Sequence, residues 1–277
     1  MQIKVVLNKD VAFSGYLRHV LNMERWPWIR RGPLEKVPKE LTKKAIKFSG
    51  PVKLSFERHP MLDLESFNKE FKNVLDKAEK LHNEEWKKRQ KELEITFTSI
   101  KDLCDKYGYF ITKSIVESTG IKWPAREVWL IPSIYSGGSV VSNKIFIGFE
   151  NKLKKTYLTL IIHELIHINT DSQFRKNIEG KLRLVSDSNE IATDLLADKV
   201  IEKLNNKFRL DIQPQGFHSY FAKFIKKYEK DLNKLGGNKK SYESLVFAID
   251  KFLKGKKYSG YYTKFGTKET KKQHVKR

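Results

Sequence analysis

The stretch Leu158-Thr-Leu-Ile-Ile-His-Glu-Leu-Ile-His-Ile168 decides how this chain is interpreted. Its apolar residues recur at helical spacing, and it contains the motif H-E-x-x-H as His163-Glu164-Leu-Ile-His167. Residues four apart share one face of a helix, so both imidazoles can reach a single Zn²⁺ while Glu164 reaches a water bound to that ion. The motif therefore contains the minimal set of groups for metal-assisted peptide hydrolysis.

A third protein ligand is needed, because two histidines leave a zinc ion one ligand short of the usual three. The stretch 186–198 offers one on a second predicted helix, which Asp187 or Ser188 can N-cap and which extends to about Lys207. Glu190 lies in the first turn of this helix, and Asp194 follows four residues later on the same side. Asp194 is then expected to accept the second ring N–H of a zinc-bound histidine, His163. Two surface charges on an ordinary amphipathic helix are the alternative interpretation.

Together the two motifs, His163-Glu164-x-x-His167 and Asn189-Glu190-x-x-x-Asp194, resemble the gluzincin clan of zinc metallopeptidases, which includes thermolysin and the thermolysin-like aminopeptidases. The resemblance covers roughly residues 127–207. It implies that His163, His167 and Glu190 bind one zinc ion, that Glu164 is the general base, and that Asp194 orients a zinc-bound histidine. The metzincin pattern is excluded, because Thr170 and Gln173 stand where its glycine and third histidine would be. Zinc is inferred from ligand type, and another divalent ion could take its place.

Peptidases of this clan take a further donor to the oxyanion from a tyrosine or histidine beyond the third ligand. The stretch Gln215-Gly-Phe-His-Ser-Tyr220 offers both types, so His218 and Tyr220 are alternative candidates for that catalytic role. An aromatic packing cluster at the start of a helix is the ordinary explanation of the same residues.

A peptide substrate is expected to lie extended against residues 144–149 and to add itself as an extra strand, with Ile145 and Phe146 in contact with it. Glu150 follows in Gly148-Phe-Glu-Asn151, which is reminiscent of the amine-binding Gly-x-Met-Glu-Asn motif of thermolysin-like aminopeptidases. Here the methionine is missing and the motif is too close to the zinc helix. Glu150 is therefore a candidate substrate-binding residue, and the choice between endopeptidase and exopeptidase activity stays open.

The composition is that of a globular protein, with 277 residues of which 39% are hydrophobic. The sequence contains no apolar run long enough for a membrane span, and residues 1–10 turn polar too soon for a secretory signal, which predicts a cytoplasmic protein. The single Cys104 fits a reducing compartment, and a buried packing role is expected for it.

The net charge of +22 is concentrated away from the motifs. Residues 1–60 carry 13 basic against 5 acidic side chains and residues 256–277 carry 8 against 1, whereas residues 163–200 carry 5 against 7. Basic flanks suit nucleic acid or another polyanion. The cations are mostly lysine, 44 of 55, so a lysine-rich solvated surface is the alternative explanation.

The predicted fold class is α+β: a zincin-like metallopeptidase core, with a mixed sheet whose edge strand lies above the H-E-x-x-H helix, plus mostly helical N- and C-terminal parts. Four segments are expected: a mixed region at 1–125, the core with the metal site at 126–210, a helical lobe at 211–255 and a basic disordered tail at 256–277. Predicted strands lie at 3–7, 52–56, 127–131, 139–141 and 144–148, with one long helix at 64–93 and shorter ones at 100–107 and 112–118.

Zinc-dependent hydrolysis of a peptide or protein substrate is the function that these residues predict. A binding module that keeps the zinc fold without turnover is one alternative, and a peptidase acting on nucleic-acid-bound proteins is another. Glu164 favours catalysis, because a purely structural zinc uses a fourth protein ligand and needs no carboxylate beside an open position.

Overall fold

The protein is described by a computed structural model over residues 1–24, 32–48, 69–135, 138–148, 154–178, 185–212, 219–238 and 241–258. These residues form a mostly helical α+β fold with one mixed four-stranded sheet, which confirms the coarse class predicted from the sequence. By their contacts they fall into two compact units, Met1–Lys106 with Glu127–Lys154 and Tyr107–Arg126 with Lys155–Arg277.

The first unit contains the sheet, formed by β1 (Gln2–Val5), β2 (Glu127–Ser133), β3 (Gly138–Val141) and β4 (Lys144–Gly148) in the order β1-β2-β4-β3. β2 pairs in parallel with β1 and β4, while β3 pairs antiparallel with β4. The tight turn predicted at Ser142 and Asn143 connects β3 to β4, and Ser142 takes the left-handed conformation there, with φ 57°.

β4 is an internal strand, and this contradicts the prediction that a peptide adds to it. β2 hydrogen-bonds one side of β4 and β3 the other, so its backbone groups are already paired. The predicted substrate contacts Ile145 and Phe146 are both fully buried. The edges of the described sheet are instead β1 and β3.

The helices of the first unit are α1 (Lys9–Asn22), α2 (Lys39–Ala45), α3 (Lys69–Lys88) and the first part of α4 (Gln90–Thr119), with short 3₁₀ turns at Gly32–Lys36 and Ile46–Phe48. α1 packs against β2 of the sheet, and α2 and α3 pack against α1. Asn8 caps α1, because its side-chain oxygen accepts hydrogen bonds from the Asp10 and Val11 amides at 2.9 and 3.0 Å. The core joins these helices to the sheet through buried apolar side chains such as Leu17, Phe71 and Phe146.

Three helix predictions differ from the structure. No helix was predicted at α1, and α3 ends at Lys88 although one helix was expected to continue to residue 93. The two short helices expected at 100–107 and 112–118 are a single helix, α4. A glycine such as Gly108 inside a helix costs only about 1 kcal/mol, and burial of Tyr107, Ile111 and Ile115 at helical spacing outweighs that cost. The predicted strand at 52–56 lies outside the described residues.

The second unit consists of the end of α4 with α5 (Lys154–Gln173), α6 (Val185–Phe208), α7 (Ser219–Asn238) and α8 (Tyr242–Gly255). A π-helical turn, Phe174–Ile178, follows α5. α6 begins before the predicted caps Asp187 and Ser188, and it packs against both α7 and α8. No helix in the described part of the chain is both long and apolar enough to cross a bilayer.

The two units divide the chain differently from the four segments expected from the sequence. Parallel pairing of β1 with β2 and of β2 with β4 groups residues 127–148 with the N-terminal residues. Residues 107–126 belong instead to the unit that contains both motifs. The described residues of the tail end at Tyr258, so the expected disordered segment 256–277 lies almost entirely outside them.

Gly15 of α1 lies directly against the ring of Phe146 in β4, and it supplies a test of this packing. A Cβ at Gly15 would lie 2.5 to 2.8 Å from ring carbons of Phe146, closer than any stable contact. We expect Gly15→Ala to lower the free energy of unfolding by about 1–3 kcal/mol, as overpacking does elsewhere, in equilibrium urea denaturation. Gly255→Ala is the matched control, because nothing lies within 4 Å of its added Cβ. Equal stability of Gly15→Ala and wild type would contradict the packing.

Candidate metal centre

α5 places the first motif inside the second unit. Its side chains are buried on nearly every side, including Leu158, Ile161, Ile162, Leu165 and Ile166. Isoleucine is a weaker helix former than leucine, so burial rather than intrinsic propensity stabilises this helix. His163 and His167 are four residues apart on it, and their rings meet edge to face with centroids 4.7 Å apart.

Glu190 on α6 completes a triangle of ligand atoms with the two histidines. The Nε2 atoms of His163 and His167 are 3.0 Å apart, and Oε2 of Glu190 lies 3.3 Å from each of them. The structure therefore brings together the three side chains that the two motifs nominate as metal ligands. Their role as ligands remains a prediction.

The size of this triangle fits a zinc ion. Ligand atoms at the usual Zn–N and Zn–O distances and tetrahedral angles lie about 3.3 Å from one another. Within the described residues, this is also the group whose imidazole and carboxylate atoms cluster closely enough to hold an ion. Imidazole and carboxylate together suit zinc or a similar divalent transition metal.

Asp194 fixes the proton on His163. Its Oδ1 lies 3.0 Å from Nδ1 of His163, and both side chains are almost fully buried. Because a carboxylate can only accept, Nδ1 carries the hydrogen and donates it, and the lone pair of the neutral ring is then on Nε2. This is the contact that the sequence predicted between Asp194 and His163. Oδ2 of Asp194 is buried without a hydrogen-bond partner among the described residues.

The two carboxylates dominate the electrostatics of His163. Burial alone would lower the pKa of this imidazole, but hydrogen bonds and charges from Asp194 and Glu190 outweigh it and hold the pKa well above its usual range. Positive charge is therefore stabilised at Nε2 of His163. A proton and a divalent cation compete for the same position.

Exposure differs across the site. The side chains of His163 and Asp194 are 3% and 4% exposed, while those of His167 and Glu190 are 17% and 19% exposed. Glu164 is also buried, at 6% exposure. Solvent thus reaches the triangle on the side of His167 and Glu190, and that is the side from which a substrate could approach.

A third carboxyl group extends the acidic face of α6. Asp198 follows Asp194 by one helical turn, and burial, with the charges of Asp194 and Glu229 in addition, raises the pKa of its carboxyl to about 7. A substantial fraction of Asp198 therefore carries a proton near neutral pH. This limits the negative charge that accumulates next to Asp194.

Buried polar contacts fix the end of α5 to the end of α4. Oδ1 of Asn169, two residues after the motif, accepts a hydrogen bond of 2.7 Å from the hydroxyl of Thr119, and its Nδ2 donates to the carbonyl of Ile121 at 3.0 Å. Gly120 between them takes a positive φ of 73°, a conformation that glycine adopts without strain. This network was not predicted from the sequence, because its members are far apart along the chain.

Contacts from α8 to α6 were also missed. The hydroxyl of Tyr242, at the start of α8, donates a hydrogen bond to Oδ1 of Asn189, which immediately precedes Glu190. The one available signal was Ser241, which caps α8 by accepting a hydrogen bond of 3.3 Å from the Ser244 amide. A cap predicts where a helix begins but not which residue its first side chain contacts.

The remaining candidates from the sequence are not brought into the triangle. Glu150 and His218 lie outside the described residues. Tyr220 lies in α7, where the backbone is described but its side chain is not. Ile145 and Phe146 are buried residues of β4 in the first unit.

No known protein family, curated protein or solved structure matches the chain. The resemblance to gluzincins therefore depends on the two motifs themselves. Their side chains converge in the structure as a metal site requires, and this geometry is the support for the proposals below.

Replacing the carboxylate ligand tests the triangle directly. We expect Glu190→Gln to weaken zinc binding by at least about 100-fold, because the amide has nearly the same shape but no charge. Glu202→Gln is the matched control, since Glu202 is an exposed residue of the same helix. Competition with a chromophoric chelator measures both affinities. An equal loss of zinc affinity in the two variants, or no loss of affinity in either, would contradict the assignment of Glu190 as a ligand.

Proton release provides a second test. Asp194 and Glu190 raise the pKa of His163, so a proton and a divalent cation compete for its Nε2. We expect zinc affinity to increase with pH up to that raised pKa, and the calorimetric binding enthalpy to vary with the ionisation enthalpy of the buffer. A binding enthalpy that is the same in every buffer at pH 7 would be inconsistent with a protonated His163.

Proposed function

We propose that the protein is a zinc-dependent peptidase that hydrolyses peptide bonds with Glu164 as general base. The observation that carries the proposal is the convergence of His163, His167 and Glu190 on one point, next to a helix position occupied by a carboxylate. Structural zinc sites use four protein ligands, whereas catalytic sites use three and keep one position open. The described residues provide three.

The ligands and their neighbours are suited to a divalent ion. When bound, a zinc ion supplies a Lewis acid and lowers the pKa of a water ligand to about 7. The hydrogen bond from Nδ1 of His163 to Asp194 holds the ring so that Nε2 is the nitrogen that faces the other two ligands. The carboxylates of Glu190 and Asp194 together balance the charge of the ion, which makes its burial less costly.

Glu164 is positioned for proton transfer. It follows His163 directly on α5, which turns its side chain about 100° from the imidazole around the helix axis. There it can accept a proton from the attacking water and pass it to the amine of the leaving group. Its burial limits competition from bulk solvent, so the carboxylate interacts strongly with groups that enter the site.

Two alternative functions differ from this proposal, one in having no catalytic activity and the other in its substrate. A binding module that retains the zinc fold would hold the ion and cleave nothing. A peptidase of nucleic-acid-bound proteins would use the same residues but require a substrate presented on a polyanion. The basic flanks that suggest such a partner remain a prediction.

Glu164→Gln separates catalysis from metal binding. We expect this variant to retain zinc and to cleave a peptide library at least about 100-fold more slowly than wild type, the usual contribution of a general base. Glu202→Gln serves as the control and should cleave at the wild-type rate. Mass spectrometry of the products gives the rate, and elemental analysis of the same samples gives the zinc content.

Each outcome of this experiment has one interpretation. Undiminished cleavage by Glu164→Gln contradicts the assigned base. If wild type and Glu164→Gln both bind zinc but cleave neither free nor nucleic-acid-bound protein substrates, the binding module is favoured.

A further inference from the structure

One phenol contacts both helices that carry the proposed ligands. Tyr242 is only 1% exposed, and its hydroxyl donates to Oδ1 of Asn189 on α6. The hydroxyl of Thr170 on α5 lies beside the phenol oxygen of Tyr242 and donates its own hydrogen to the carbonyl of Ile166 at 2.8 Å. Asn189 precedes Glu190, and Thr170 follows His167 by three residues, or nearly one helical turn.

A second contact from the same turn of α8 reinforces the first. Glu243, the neighbour of Tyr242, accepts a hydrogen bond of 3.1 Å from Nδ2 of Asn177 in the π-helical turn after α5. The start of α8 is thus attached to α6 through one residue and to the end of α5 through the next. α8 also packs along α6 through buried side chains that include Leu245, Val246 and Ile249.

The Tyr242 hydroxyl remains a hydrogen-bond donor at any working pH. Burial, and in addition the negative charges of Glu190 and Asp171, raise the pKa of this phenol far above its ordinary value. Tyr242 is not in the triangle itself, so it acts on the site through Asn189 and Thr170.

We propose that Tyr242 is a positioning residue of the metal centre, which sets the separation of Glu190 from the two histidines by contacting α6 and α5 at once. Metal affinity depends on ligand positions within a few tenths of an ångström. Loss of the hydroxyl lets α6 shift relative to α5 and leaves the ring in place. The inference rests on the proposed zinc site.

Tyr242→Phe is the test, because it removes the oxygen and keeps the buried ring. We expect it to weaken zinc binding about 10-fold, the lower end of what outer contacts contribute, and to alter the visible absorption spectrum of the Co²⁺-substituted protein. A tyrosine that only packs would lower the melting temperature of the metal-free protein and leave both zinc affinity and the Co²⁺ spectrum unchanged.

Tyr135→Phe is the matched control. Tyr135 is equally buried, at 1% exposure, and its hydroxyl lies 3.1 Å from Oγ of Ser139. It belongs to the first compact unit, whereas all the proposed ligands belong to the second. The same chemical change is therefore expected to leave zinc affinity at the wild-type value.

Asn189 variants identify the contact through which Tyr242 acts. Asn189→Ala should weaken zinc binding to a similar extent. The double variant Asn189→Ala/Tyr242→Phe should bind zinc with the same affinity as the single variant that binds it less tightly. Asn189→Asp retains an oxygen acceptor for the phenol and should bind zinc more tightly than Asn189→Ala. Fully additive losses would overturn the proposed coupling.

The measurements also separate this inference from the metal site itself. Zinc bound by wild type and equally by Tyr242→Phe, with an unchanged Co²⁺ spectrum, overturns the positioning role alone. Failure of wild type to bind zinc overturns the metal centre and the positioning role together.

Discussion

The hydrogen bond between Nδ1 of His163 and Oδ1 of Asp194 is the interaction on which the candidate site depends. It joins α5 to α6 through two side chains that water scarcely reaches. Removing either partner would leave a buried polar group unpaired, at a cost of several kcal/mol. The bond also decides the tautomer of His163, so that its other nitrogen faces His167 and Glu190. Three electron-pair donors then converge on one point, an arrangement that is stable only when a cation or a proton lies between them.

An apolar environment holds this polar cluster. α5 is buried on nearly every side, so the helix cannot slide or rotate without exposing its isoleucines and leucines. Its polar residues are fixed individually: His163 by Asp194, and Asn169 by Thr119 and Ile121. α8 adds contacts to α6 and to the turn after α5. Low polarity around the site strengthens each electrostatic interaction within it, including those of the buried Glu164.

Features that depend on residues close together in the sequence were predictable, whereas features that depend on contacts between distant residues were not. The positions of the ligands within each helix were predictable, because H-E-x-x-H and E-x-x-x-D each fix side chains on one face of one helix. The meeting of the two helices was implied only by the resemblance to gluzincins. The hairpin of β3 and β4 was predictable from a similarly local pattern. The internal position of β4 was not, since the order of strands depends on pairing with β2, whose residues share no pattern with it. Tyr242 could not be foreseen either, because it contacts a residue 53 positions earlier. Helix α1 was overlooked between a strand and a proline-rich stretch, although Asn8 is a good N-cap.

X-ray absorption at the zinc edge of the zinc-loaded protein identifies the ligand atoms without an intermediate assumption about activity. We expect nitrogen and oxygen ligand atoms at about 2.0–2.1 Å from the zinc, outer scattering from two imidazoles, and no sulfur ligand. A sulfur at about 2.3 Å, which would have to come from Cys104 or the methionines, would contradict the proposed ligands. So would a spectrum that Glu190→Gln leaves unchanged.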